Sequence, residues 1–435
     1  MEINLTPAMV YSAAVVALIG LHLAWRARAS RRVLKRQEAA KEAGMNEPPT
    51  LHPWIDPGIC LGCASCVTAC PEKTVLGVID GKAELVEAAH CVGHGACKTA
   101  CPLDAITLVF GTEKRGVDIP NVSPEFETNV PGIFIAGELG GMGLVRNAVE
   151  QGRQALENAE ALCREPHDCD FDVAIIGAGP AGIAASLGAK ALGLSYRTID
   201  QDSLGGTVAH FPRRKVVMTA PAILPLVGKV NFRETTKEAL IEFWEKVVAD
   251  HQLEIGFNNR MEVIEPLELG FKINTSKESF SARAVLLCLG RRGTPRKLGV
   301  EGEHRDKVVD RLVDPEQYRG MSVLVVGGGD SAVEAAVSLS EEPGTNATLA
   351  YRGPAFNRIK PGNRERLDMA QKSGALRVCY NTNIDSISPE EVVLVGDQGH
   401  ETVANEAVIV CAGGVLPRDV LEKIGIQFER KHGTA

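Results

Sequence analysis

The sequence has no cysteine between Cys288 and Cys379, no basic stripe interleaved with aromatics, and no positive charge ahead of its one long apolar run. Each absence excludes something. The gap in cysteine removes any redox C-x2-C pair from that stretch. With aromatic residues at 5% and a net charge of −8, nucleic acid is not expected as a partner. A cleaved secretory leader carries its positive charge before the apolar run, whereas Met1–Thr6 holds only Glu2 as a charged residue.

What is present is ordinary in bulk. Apolar residues at 45% and charged residues at 23% suit a chain with a real core. A length of 435 residues suggests roughly two to four domains. The cysteines number 12, and their spacing points to iron–sulfur chemistry and a reducing compartment.

The apolar run Ala8–Trp25 is about the minimum that spans a bilayer as a helix. Tyr11 and Trp25 suit its two interfaces, and Arg26, Arg28, Arg31, Arg32, Lys35 and Arg36 come after it. The expectation is a single-pass transmembrane helix in the inner membrane, N-terminus outside and the remainder cytoplasmic. A buried or peripheral helix is the alternative. Residues 1–40 form this anchor and its basic flank, and 41–52 a polar linker.

Cys60, Cys63, Cys66, Cys70 and Pro71 match C-x2-C-x2-C-x3-C-P. Such a run supplies three ligands to one cubane and sends the fourth to a neighbour. Cys91, His94, Cys97, Cys101 and Pro102 repeat it with histidine in the second place. The pair resembles the bacterial two-cluster ferredoxins over Pro53–Phe110, which implies an α+β domain at 53–112 holding two [4Fe–4S] clusters. That family's crossed ligation implies Cys60, Cys63, Cys66 and Cys101 for the first cluster. It implies Cys70, Cys91 and Cys97 for the second. Either His94 completes the second cluster, or that site is a [3Fe–4S] cluster and His94 a bystander.

Asp172–Gly177 is an apolar strand running into Gly177, Gly179, Pro180, Ala181 and Gly182, then a helix of small residues; the next strand ends at Asp200. This is the dinucleotide fingerprint: glycines for the turn and close approach, a helix N-terminus for pyrophosphate, an acid for the ribose. Gly206 lies in a loop expected near the flavin. A second fingerprint has Gly327, Gly329, Asp330, Ser331 and Ala332, but its next strand ends in Arg352, with Arg358 and Lys360 behind. An arginine there accommodates a 2′-phosphate, which favours NADPH over NADH. An ordinary solvated loop is the alternative for Arg358 and Lys360.

From Gly116 onward the chain resembles the thioredoxin reductase-like flavoproteins. That implies an α/β fold with two Rossmann-like domains: FAD-binding at 113–297 with 413–435, and NAD(P)-binding at 298–412. In that family the string corresponding to Asn129–Gly152 closes the FAD site near the chain's end; here it precedes the loop that opens it. A circular permutation is therefore expected. It requires Glu138 in the same site as Gly177–Gly182, and the chain's end near Phe428 beside Gly116. The resemblance gives Glu138, which follows the Ala136–Gly137 pair, the ribityl contact; it makes Gly137 cofactor-binding too and puts Gly140, Gly141, Ala148 and Gln151 on the helix-start pattern. A mere helix cap is the alternative for Glu138. The layout of His210–Met218, Thr235–Leu240 and Gly320–Leu339 is nearest the bacillithiol-disulfide reductase branch, which also lacks the dithiol. Cys163, Cys169, Cys288, Cys379 and Cys411 are expected to be free thiols.

The implied function is a membrane-anchored NADPH-, FAD- and iron–sulfur-dependent oxidoreductase. Its partner is a redox protein, a quinone or a small disulfide, and a homodimer is a possible assembly. No catalytic acid or nucleophile is identified. A reductase of low-molecular-weight disulfides and a tethered redox sensor are the alternatives.

Overall fold

The computed structural model describes residues 5–42, 48, 51–91, 93, 95–112, 116–140, 144–213, 215–218, 221–231, 234–290, 295–356 and 359–433. It divides into two units, 1–115 with 432–435, and 116–431.

The first unit opens with a 38-residue helix, Leu5–Glu42. In its first half Tyr11, Val16, Leu18, Leu21 and Trp25 are between 62% and 73% exposed. Among the described residues no helix is long and apolar enough to cross a membrane. The side chains of Ala8 and Val10, which open the expected span, lie outside the described ones. The second half is not a free basic flank. It lies on the hairpin Leu76–Ile79/Lys82–Leu85, with Gln37 and Ala40 buried. Gln37 Nε2 donates to Leu85 O at 2.8 Å, and the Asp80 N–H donates to Ser30 Oγ at 3.0 Å. A methyl on Gly77 would stand 2.3 Å from Val33 Cγ1, so only glycine admits the helix this closely.

The rest of this unit carries the repeat read from the cysteines. His52–Ile55 pairs antiparallel with Ile106–Val109, and two short helices, Ser65–Ala69 and Ala96–Thr99, each precede the last cysteine of a run. Gly433 N–H donates to Phe110 O at 2.8 Å, so the terminal residues join this unit. The expected flavin segment 413–435 is shortened accordingly, to end at Lys431.

The second unit holds two large sheets, a mixed one and a parallel one. The seven-stranded one runs Ile255–Gly256, Tyr196–Ile199, Phe171–Ile176, Ser279–Leu287, Phe271–Thr275 and Met261–Pro266, and the short strand Ile133–Ile135 also pairs Ser279–Leu287. Ser279–Leu287 changes partner along its length. Residues 279–282 pair antiparallel with Phe271–Asn274, and 285–287 pair parallel with Ile133–Ile135. The five-stranded sheet runs Val308–Val309, Ala407–Val410, Ser322–Val326, Asn346–Ala350 and Leu376–Cys379. The two connections between the lobes meet, Arg296 N–H donating to Gly413 O at 3.0 Å.

The helix Val145–Cys163 packs along Pro180–Leu192 through alanines and glycines. Its sequence predecessor, Ile133–Ile135, is wholly buried. Phe428–Lys431 pairs antiparallel with Val117–Pro120, Lys431 opposite Val117, which sets the chain's end beside the start of this unit as expected.

A methyl on Gly152 would stand 2.1 Å from Ala181 O, a backbone atom that cannot swing away. Gly152→Ala is expected to lower the unfolding free energy in denaturant by about 1–3 kcal/mol through overpacking. Gly362→Ala, in a helix with open space at that point, should leave it unchanged or raise it.

Candidate functional site

The strand Phe171–Ile176 delivers the chain to Gly177, whose φ of 114° is open to glycine alone. A methyl there would meet Cys288 O at 2.4 Å, and one on Gly182 would meet Gly177 O at 1.7 Å. Gly179 faces open space, with only Gly206 Cα at 3.8 Å from its would-be methyl. It is the residue before Pro180, where the helix's first N–H groups point outward, so the cradle a pyrophosphate needs is built. Gly205 N–H donates to Ala178 O at 3.0 Å, which brings the Gly205–Gly206 turn against the loop.

Asp200 underpins that loop. Its Oδ2 accepts from Ala178 N–H at 2.6 Å and its Oδ1 from Asp202 N–H at 2.8 Å. Burial pushes its carboxyl above the usual range, against the pull of these two donors. Each oxygen keeps a further lone pair for a ribose hydroxyl.

The segment that precedes the loop in sequence is part of the same site. Gly137 N–H donates to Gln151 Oε1 at 2.8 Å, and a methyl on Gly137 would lie 3.2 Å from Ala181 Cβ. Glu138 begins a short 3-10 turn, Glu138–Gly140, on this rim. The long helix starts at Val145, after Leu144. Gly141 lies outside the described residues.

The second loop repeats the first in the five-stranded lobe. A methyl on Gly327 would meet Cys411 O at 2.4 Å, as one on Gly177 meets Cys288 O, and Gly329 again faces open space. Ala332 is buried in the next helix, Asp330–Ser340, which also carries Ser331. Asp330 Oδ1 accepts from Lys360 N–H at 2.8 Å and from Asn363 Nδ2 at 2.7 Å. Arg352 comes after Tyr351, whose ring stacks on Phe356 at 5.0 Å and closes against Gly328. Arg358 lies outside the described residues.

In the first unit, Cys60, Cys63, Cys66 and Cys101 line one cavity with Ile55, Leu61 and Ile106. This is the crossed set expected for the first cluster. Cys70, Cys91 and Cys97 are buried, and Cys63 is exposed. Burial lifts the Cys66 and Cys91 thiols to about 11; Cys70 and Cys97 add to the shift at Cys91. The Ser65 hydroxyl, 3.4 Å from Cys63 Sγ, lowers that thiol instead. Thiolates in so dry a site need positive charge beside them, which iron supplies. Among the described residues no group of three or more His, Cys, Asp or Glu closes on a single ion. His94 lies outside the described residues.

Sequence reasoning missed two parts of this arrangement. Asp202, paired to His210 Nε2 at 3.0 Å, continues the support of the flavin-side loop. Asn363 ties Asp330 to Glu334 at 3.0 Å, a link across a loop that no local spacing announces.

A mixed sheet and a parallel sheet, each with a glycine loop that follows a parallel strand and opens onto a helix, define a flavoprotein oxidoreductase that binds two dinucleotides and carries an iron–sulfur module. Residues 174–434 match the pyridine nucleotide-disulphide oxidoreductase family, and the chain belongs to it. Residues 52–102 match the 4Fe-4S dicluster domain. The chain is 26% identical over 265 residues to a bacilliredoxin reductase Bdr of Bacillus subtilis, covering 60% of this chain and 82% of that one. It is 28% identical over 272 residues to a ferredoxin–NADP reductase of Thermus thermophilus, covering 60% and 78%. In fold it is similar to a bacillithiol disulfide reductase of Staphylococcus aureus, with a TM-score of 0.54 and 23% identity over 59% of this chain and 80% of that one. The protein is an FAD-dependent oxidoreductase.

Asp200→Ala strips two buried N–H groups of their acceptor. FAD is expected to bind about 10- to 100-fold more weakly, from a loss of about 1–3 kcal/mol, read by titrating the apoprotein with FAD.

Proposed function

We propose that this protein passes electrons between NADPH, FAD and two iron–sulfur clusters, and that its flavin domain is a circular permutation of the family's. The observation that carries the reading is the close approach of Gly137 and Gly152 to Ala181, with Gln151 accepting from Gly137 N–H. It puts the segment directly downstream of the ferredoxin unit into the wall of the flavin loop. The match leaves about a fifth of each relative uncovered, room for a segment of this size placed elsewhere in the chain.

The chemistry supplied by FAD, when bound, would be acceptance of a hydride and release of single electrons, so that a two-electron donor could feed one-electron clusters. The chain's own part is to hold and orient. Gly177–Gly182 and the Pro180–Leu192 helix hold the flavin's pyrophosphate, with Glu138 beside the ribityl chain. Gly327–Ala332 holds the nicotinamide dinucleotide, and Arg352 sits where a 2′-phosphate would be read. The cavity of Cys60, Cys63, Cys66 and Cys101 holds one cluster. Cys70, Cys91 and Cys97 hold three corners of the other. Exposed Cys63 makes the first cluster the port to an outside partner. The bacilliredoxin reductase relative favours a second reading, direct reduction of a small disulfide at the flavin.

The test is anaerobic titration of the whole protein with NADPH and, in parallel, NADH, monitored by visible absorption and EPR. NADPH should bleach the flavin and reduce the clusters at lower concentration than NADH. Cys60→Ser and Cys101→Ser should abolish reduction of one-electron dyes while flavin bleaching persists. Clusters that stay oxidised after the flavin is fully reduced would sink the proposed path, and turnover of a small disulfide by these variants would favour the second reading.

We also propose that the exposed apolar half of the first helix seats in a membrane. A helix apolar on every face is otherwise buried in protein, and Arg26 to Arg36 come directly after it. The full chain should stay with membranes through a carbonate wash, and a form lacking residues 1–25 should not. Recovery of the intact chain in the supernatant would end this proposal.

A further inference from the structure

The loop His210–Lys215 of the seven-stranded lobe and the helix Asp330–Ser340 of the five-stranded lobe are joined by charge. Lys215 Nζ lies 2.6 Å from Glu334 Oε2, with the two side chains only 23% and 19% exposed. Beside it Arg213 Nη1 lies 3.2 Å from Asp314 Oδ2, but that arginine is 53% exposed. The shielded pair is the one that water and salt weaken least.

Both partners are fixed from behind. Glu334 Oε1 accepts from Asn363 Nδ2 at 3.0 Å, and the same amide donates to Asp330 Oδ1 at 2.7 Å. Asp330 is the first residue of the helix at the second glycine loop. Lys215 Nζ stands 4.5 Å over the Phe211 ring centroid, and Phe211 O accepts from Lys237 Nζ at 2.7 Å. His210, at the head of the loop, holds Asp202, whose N–H holds Asp200 under the first glycine loop. A continuous run of contacts thus joins the two dinucleotide loops, and Lys215–Glu334 is its crossing between lobes.

We propose that Lys215 and Glu334 are positioning residues for hydride transfer: their pair sets how the nicotinamide lobe stands against the flavin lobe. The proposal rests on the reading that NADPH reduces the flavin. Hydride transfer needs reacting atoms in near contact, and a misplacement of about 1 Å costs about 100-fold in rate. A pair this shielded resists rotation because opening it leaves two charges poorly solvated.

The experiment is anaerobic stopped-flow reduction of the flavin by NADPH in the full chain. The variants are Lys215→Met, Glu334→Gln and the exchanged pair Lys215→Glu with Glu334→Lys. At saturating NADPH each single variant is expected to lose about tenfold or more in limiting rate. The half-saturating NADPH concentration, FAD content and melting temperature should stay near those of the unaltered protein, and the exchanged pair should recover most of the rate. Single variants that keep the limiting rate overturn the positioning role, as does a rate that falls only in step with FAD content and melting temperature. Should Lys215→Met fail to retain FAD, Glu334→Gln, on the other lobe, decides alone. An unaltered protein whose flavin NADPH never bleaches overturns the parent reading and the pair's role with it.

Discussion

The flavin lobe depends on a three-residue strand arriving from the wrong end of the chain. Ile133–Ile135 docks against residues 285–287 of Ser279–Leu287, where that strand has left its antiparallel neighbour. Three residues of pairing are too few to hold by hydrogen bonds alone. The next helix supplies the rest, since Val145–Cys163 runs along Pro180–Leu192 at a spacing only glycine and alanine allow. Ala181 therefore has two duties: it opens the helix that follows the first glycine loop, and it is the surface on which Gly152 and Gly137 rest.

Much of this was legible because the chemistry constrains neighbours in sequence. Ligand spacing fixes Cys60–Cys70 locally, and the turn at Gly177–Gly182 needs its glycines whatever surrounds it. The string Asn129–Gly152 has a recognisable local character of its own, so its place beside Gly177–Gly182 could be named before the sheet was known. The helix start at Val145 was less legible, because Gly140 and Gly141 read as a start while the chain spends Glu138–Gly140 in a 3-10 turn. The Lys215–Glu334 pair was invisible, since its members are 119 residues apart and each reads as an ordinary surface charge. The second half of the first helix misled for another reason. Seven basic residues dominate its composition, and the thin seam of Val33, Gln37 and Ala40 leaves little periodic signal.

The two glycine loops show how one architecture is tuned twice. Each places its first glycine against a carbonyl of a cysteine residue at the end of a crossing strand, Cys288 in one lobe and Cys411 in the other. They differ at the end of the second strand. Asp200 turns back to hold its own loop, whereas Tyr351 closes the other and leaves Arg352 beyond it.

The first helix has a practical consequence for handling the protein. Because Val33, Gln37 and Ala40 pack against the Leu76–Leu85 hairpin, the helix is part of the cluster module's scaffold rather than a tether attached to it. A truncated form that begins at the module's own first strand, near His52, would bare Gly77 and leave Leu85 O without its donor. A cut between Trp25 and Ser30 removes the exposed apolar half and keeps that wall. The place to shorten this protein lies inside a continuous helix, where no loop marks it.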